Sequence, residues 1–178
     1  MIVRISTAVL CLFFAACSQL GMRGDQASAG ASRSDAKFME NIAQANIAEI
    51  ETGKLALTRA QSPQVRQFAQ HMVDEHTTLL NEGAQLAAAK GMAPPKSPDL
   101  KHQAAAKKLS MMSGASFDRA YMQQMVADHN NTLELLQQAA AQASDPQLRA
   151  HAQKAMPHVQ QHLEMARRLA GDLVGALR

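Results

Sequence analysis

Glu49, His76, Asp128, His129 and His162 are the residues whose types and spacing could do chemistry in this chain. Each falls on or beside an apolar stripe when residues are set at about 100° steps around a helix. The stretch HMVDEHTTLL, residues 71–80, shows the sorting. Val65, Phe68, Ala69, Met72, Val73, Leu79 and Leu80 make one stripe, and His76 sits in its middle. Glu75 lies on the edge, while His71 and Asp74 fall outside and are expected in solvent. Glu49 sits among Phe38, Ile42, Ala45, Thr52 and Ala56, with Asn46 close by. Asp128 and His129 flank the centre of a stripe through Tyr121, Met125, Thr132 and Leu136. His162 lies within a stripe through Leu148, Ala152, Ala155, Val159 and Leu163, with His151 and His158 along one edge.

Three inward imidazoles and two inward carboxylates admit two readings. Neutral imidazoles with carboxylates in a bundle core suit Fe, Mn or Zn, and such groups are costly to bury unless paired or metal-bound. Alternatively, Glu49 and Asp128 pair with the three histidines as a polar layer that only fixes helix register. Cu(I) held by thioethers and imidazoles is a further option, through Met72, Met111, Met112, Met122, Met125 and Met156. A methionine stripe at helical spacing is, however, the usual filler of a core. Di-iron carboxylate bundles use Glu-x-x-His pairs on two helices. No Glu here has His three residues later, so a mononuclear or His-rich site fits better. No G-x-S-x-G turn or Gly-rich phosphate loop is present. No catalytic residue is therefore assigned, and enzymatic activity is left open.

These side chains need long helices to hold them. Residues 36–60 are rich in helix formers. Ser62-Pro63 then gives a cap and a proline at the first helical position, opening a second helix that Gly91 closes. GMAPPKSPD breaks the chain, a short helix spans residues 99–112, and a third long helix spans 117–143. Asp145-Pro146 repeats the start signal for a fourth, to residue 173, with Pro157 inside it. No strand pattern appears. Two short connections and one long one predict an all-α, ferritin-like four-helix bundle. A long crossover between the second and third long helices carries the short extra helix. SPQVR with Ala69-Gln70 echoes DPQLR with Ala152-Gln153, as expected of a duplicated hairpin. His76 lies 13 residues past Pro63, His162 16 past Pro146, Glu49 11 before Ala60 and His129 14 before Ala143. In such a bundle all four sit near mid-height.

The N-terminus reads as an address. Residues 1–16 carry Arg4 and a short apolar run, the pattern of a signal peptide. Phe14-Ala15-Ala16-Cys17 resembles a lipobox, so Cys17 is expected to carry lipid, and residues 17–34 to form a flexible tether to a domain over 35–178. Cys11 leaves with the signal, so no thiol remains in the fold for a disulfide. The expected location is periplasm-facing, anchored to the outer membrane by lipid. Net charge is +3 with both signs interspersed and Trp absent, which excludes a nucleic-acid surface. The expected partners are the membrane, through the lipid, and an envelope protein or a second copy. A non-enzymatic envelope structural or interaction protein is the alternative to metal binding.

The elements MVxxH in the second helix, SGxxFDxxY and MVxDH in the third, and Met156-Pro157 before His162-Leu163 occur together over residues 36–170. In this combination the chain resembles the bacterial exported family called domain of unknown function 4142. That resemblance implies a ferritin-like fold and an exported location, and no settled activity.

Overall fold

The structure is a computed structural model, described over residues 31–175. The signal peptide, Cys17 and the tether up to residue 30 lie outside the described residues. Five helices follow: α1 (Arg33–Arg59), α2 (Pro63–Ala89), α3 (Leu100–Ser110), α4 (Gly114–Gln142) and α5 (Pro146–Gly175). No strand occurs among the described residues. None of these helices is long and apolar enough to cross a membrane.

Local chemistry sets the ends. The Ser32 hydroxyl accepts from the Asp35 N–H, so α1 starts two residues before Asp35. Ser62 and Asp99 cap α2 and α3 in the same way. Asp145 Oδ1 accepts from the N–H groups of Gln147 and Leu148 at the start of α5. Each bond satisfies a donor that a helix start leaves free. Gly91 takes a positive φ of 72° just past α2, the left-handed closure that glycine adopts without strain. The helix α5 continues through Pro157.

α1 packs on α2 and α4 packs on α5; α1 also lies beside α4, and α2 beside α5. Gly53 lets the first hairpin close tightly: a Cβ there would stand 2.9 Å from Val73 Cγ2 and 3.2 Å from the Ala69 carbonyl. Two buried carboxylates fix the helix directions. Asp35, at the start of α1, accepts from the N–H groups of Ser144 and Asp145, in the turn before α5. Asp118, at the start of α4, accepts from the N–H groups of Gln61 and Ser62, in the turn before α2. α1 and α5 therefore begin at one end of the bundle, and α2 and α4 at the other. The connection from α2 to α4 must return along the bundle, and α3, packed on α1 and α4, lies in it.

The core is apolar at both ends and polar between. One cluster gathers Ala56, Phe68, Met72, Phe117, Tyr121, Met122, Met125 and Ala166. The other gathers Met39, Ile42, Leu79, Leu136, Leu148, Ala152 and Val159. Buried Asn46, Glu49, Thr52, His76, Asp128, His129, Thr132 and His162 complete the interior. Burying a large apolar side chain contributes about 1.5–3 kcal/mol. The two apolar clusters thus carry the fold and hold the costly polar groups in place.

Candidate metal centre

His76 on α2, His129 on α4 and His162 on α5 are 1 %, 0 % and 0 % exposed. Their ring centroids form a near-regular triangle, with sides of 5.5 Å, 5.1 Å and 5.4 Å. One ring nitrogen from each lies within 4.8 Å of the others.

The surroundings fix which nitrogens these are. Asn46 donates its amide N–H to the Ile42 carbonyl, so its Oδ1 faces His76 Nδ1, at 2.9 Å, as an acceptor. His76 Nδ1 therefore carries the proton. Glu49 Oε2 is also 2.8 Å from that nitrogen, but the ring N–H is aimed at Asn46. Glu49 is an ion-pair neighbour with neither oxygen hydrogen-bonded. His129 Nδ1 donates to the Met125 carbonyl at 2.9 Å and lies 3.7 Å from Glu49 Oε1. His162 Nε2 donates to Glu75 Oε2 at 2.8 Å. The remaining nitrogens are His76 Nε2, His129 Nε2 and His162 Nδ1, all buried and without a partner. Each is the unprotonated nitrogen of a neutral ring. Each of the three residues thus has one unpaired ring nitrogen to offer.

The electrostatics pull in two directions. Burial raises the Glu49 carboxyl, but the surrounding His76, His129 and His162 outweigh it and hold the group at about 2. Burial pushes His129 below the usual histidine range, partly opposed by Glu49. Burial, then His76 and His129, push His162 down to about 3 despite its bond to Glu75. The buried anion calls for positive charge nearby, yet His129 and His162 resist taking a proton. A cation between the three nitrogens satisfies both demands. Nitrogens within 4.8 Å of one another need only small side-chain shifts to bind at the ~2.0–2.1 Å typical of imidazole on zinc.

Beyond His162 lies a second group. Glu75, half-buried, has His162 Nε2 and His158 Nδ1 at 2.8 Å and 3.2 Å from Oε2, and His71 Nε2 at 3.5 Å from Oε1. Burial raises Glu75, but the bond to His162 and the nearness of His162 and His71 prevail and lower it. His71, Glu75 and His162 also offer ligand atoms within 4.8 Å of one another.

Of the five residues singled out in the sequence, His76, His129 and His162 come together, and Glu49 backs two of them on their Nδ1 side. Asp128 is buried but joins neither cluster. Adjacent helical residues point about 100° apart, so His129 and Asp128 cannot both face the trio. Burial, then the charge of Glu49, raise the Asp128 carboxyl. His71, expected in solvent, stands edge-on to His162 at 5.3 Å. The orienting role of Asn46 also went unread; its place beside Glu49 on the buried face of α1 was the available signal.

The family described as domain of unknown function (DUF4142) matches residues 21–169. The chain belongs to that family. Among curated proteins none matches this DUF4142 chain in sequence. Solved structures share its fold. A DUF305 fragment from Deinococcus radiodurans superposes with a TM-score of 0.72 at 14% identity, covering 80% of this chain and 99% of the other. A DUF305 protein from Streptomyces coelicolor gives 0.68 at 13% identity, covering 79% and 93%. CopM, in its Cu(II)-bound form, gives 0.61 at 14% identity, covering 78% and 96%. At these identities the likeness establishes the helical bundle.

Proposed function

We propose that this DUF4142 protein binds one divalent transition cation through His76 Nε2, His129 Nε2 and His162 Nδ1. The observation that carries the reading is the convergence of three buried, unpartnered imidazole nitrogens. Buried polar atoms without partners are rare, and three of them on residues whose ligand atoms lie this close call for a shared ligand. Outer partners that fix a ligating ring's tautomer are the usual companions of metal-bound histidine. Here they are Asn46, the Met125 carbonyl and Glu75. Glu49 and Glu75 supply two negative charges, which balance a divalent ion. An all-imidazole set favours Cu(II) or Zn(II) over Mn or Mg. CopM, which shares the fold, was seen with Cu(II) bound. The N-terminal sequence supports a site that works outside the cytoplasm on a lipid tether at Cys17. With three protein ligands, a fourth position stays free for exchange, which suits capture and delivery of the ion.

The test is metal content of the purified full chain after loading with Zn(II) or Cu(II) and gel filtration. About one ion per chain, held by the parent through gel filtration and bound at least about tenfold more weakly by His76→Ala, is the expected result. No retained ion in the folded parent would return the layer to the role of fixing helix register.

A further inference from the structure

The trio is sealed from solvent, so a cation needs a way in. Beside it, His71, Glu75 and His158 reach water, their side chains 38%, 31% and 45% exposed. An open groove of about 560 Å³ between α2 and α5 includes His71 in its lining. A simple surface ion pair needs one imidazole per carboxylate. Here three rings surround Glu75. One of them, His162, is the wall between the two clusters, with Nδ1 inward and Nε2 outward.

We infer that His71, Glu75 and the outer nitrogen of His162 form a second, outer site that captures the same divalent cation and feeds it to the buried trio. This rests on the trio's own metal-binding reading. A neutral imidazole has one lone pair, so His162 serves one cluster at a time. With the ion outside, Nε2 ligates and the ring proton sits on Nδ1. With the ion inside, Nδ1 ligates and the proton sits on Nε2, bonded to Glu75 as observed. As the cation moves inward, Nδ1 gives its proton to the water that accompanies the ion and Nε2 takes one from water at the groove through Glu75, so the ring keeps one proton and its charge is unchanged. His158, also on Glu75, holds the carboxylate in place. Imidazole and carboxylate ligands beside an open groove suit a borderline ion such as Zn(II) or Cu(II).

The experiment uses the full chain and Zn(II) alone. In H76A/H129A, which removes two inner ligands, one weaker Zn(II) should remain, and adding His71→Ala should weaken it further, by about tenfold or more. In the parent background, His71→Ala should slow loading by about tenfold or more, read by stopped-flow against a chromophoric chelator. Loss of all binding in H76A/H129A with its fold intact would overturn the outer site, as would loading of His71→Ala at the parent's rate. The rate measurement stands even where the double variant fails to fold. The two readings fail separately. An ion that H76A/H129A binds as tightly as the parent, and that only His71→Ala removes, would refute the inner trio and leave the outer site standing.

Discussion

The two hairpins are alike at their turns and unlike at mid-height. Asp35 bonds two N–H groups of the turn before α5, and Asp118 does the same before α2. Arg66 donates to the carbonyls of Ala60 and Gln61, and Arg149 to those of Ala143 and Ser144. Asp35 and Asp118, Pro63 and Pro146, and Arg66 and Arg149 share one sequence offset. Under the same offset, His129 matches Asn46, His76 matches Val159 and His162 matches Leu79. Asn46 and His129 even make the same bond, to the carbonyl four residues earlier. The difference separates two demands. Closing a turn on a buried carboxylate is needed twice and is kept twice. Under the proposed function, one cation would need a single set of ligands, so one copy of each position would supply a ligand while its counterpart packs or orients.

Breaking the middle should give the largest effect. His129→Ala removes a ligand, and cation affinity should fall by more than the roughly 10–100-fold that loss of an outer partner costs. Competition with a chromophoric chelator measures it; an unchanged affinity would make His129 a packing residue. Glu75→Gln keeps the shape but removes the charge that orients His162, and should cost roughly 10–100-fold in the same assay. Breaking the ends should change stability without touching affinity. Asp35→Ala and Asp118→Ala should each cost about 1–2 kcal/mol in urea unfolding, as lost caps do. Unequal losses, or a loss of metal, would break the symmetry of the turns.

The smallest effect is the pH dependence of the metal-free protein. His162 is held at about 3 in the fold, against about 6.5 for an unperturbed histidine. The unfolded chain takes up this proton near pH 6.5 and the folded one refuses it until near 3. This contribution is complete above 6.5 and is lost as pH falls from there toward 3. Glu49, held at about 2, acts with the same sign at lower pH, from its ordinary 4.5 downward. Melting temperature should therefore fall between pH 7 and 5, and fall at least as steeply with the cation bound, which keeps protons off the same nitrogens. A melting temperature that rises over that window would contradict the assignment of a neutral His162.

The fold was legible because its signals are local. Ser62-Pro63, Gly91 and Asp145-Pro146 mark helix ends by backbone chemistry, and the stripes mark the inner faces. His76, His129 and His162 could be read because each sits on its own stripe and helix counting puts them at one height. What went unread depends on contacts between helices. His71 lies off the stripe of α2 but faces α5, where Glu75 and His162 meet it. The Asp35 and Asp118 carboxylates close turns far along the chain, and no local pattern shows that. Extending the hairpin echo back to those two aspartates would have revealed the pair.

The most direct test of the central claim is X-ray absorption at the metal edge of the loaded full chain. The account predicts a shell of nitrogen scatterers at about 2.0–2.1 Å for zinc, with the outer-ring signature of three imidazoles. Oxygen scatterers without imidazole features, or a sulfur shell from methionine, would contradict it.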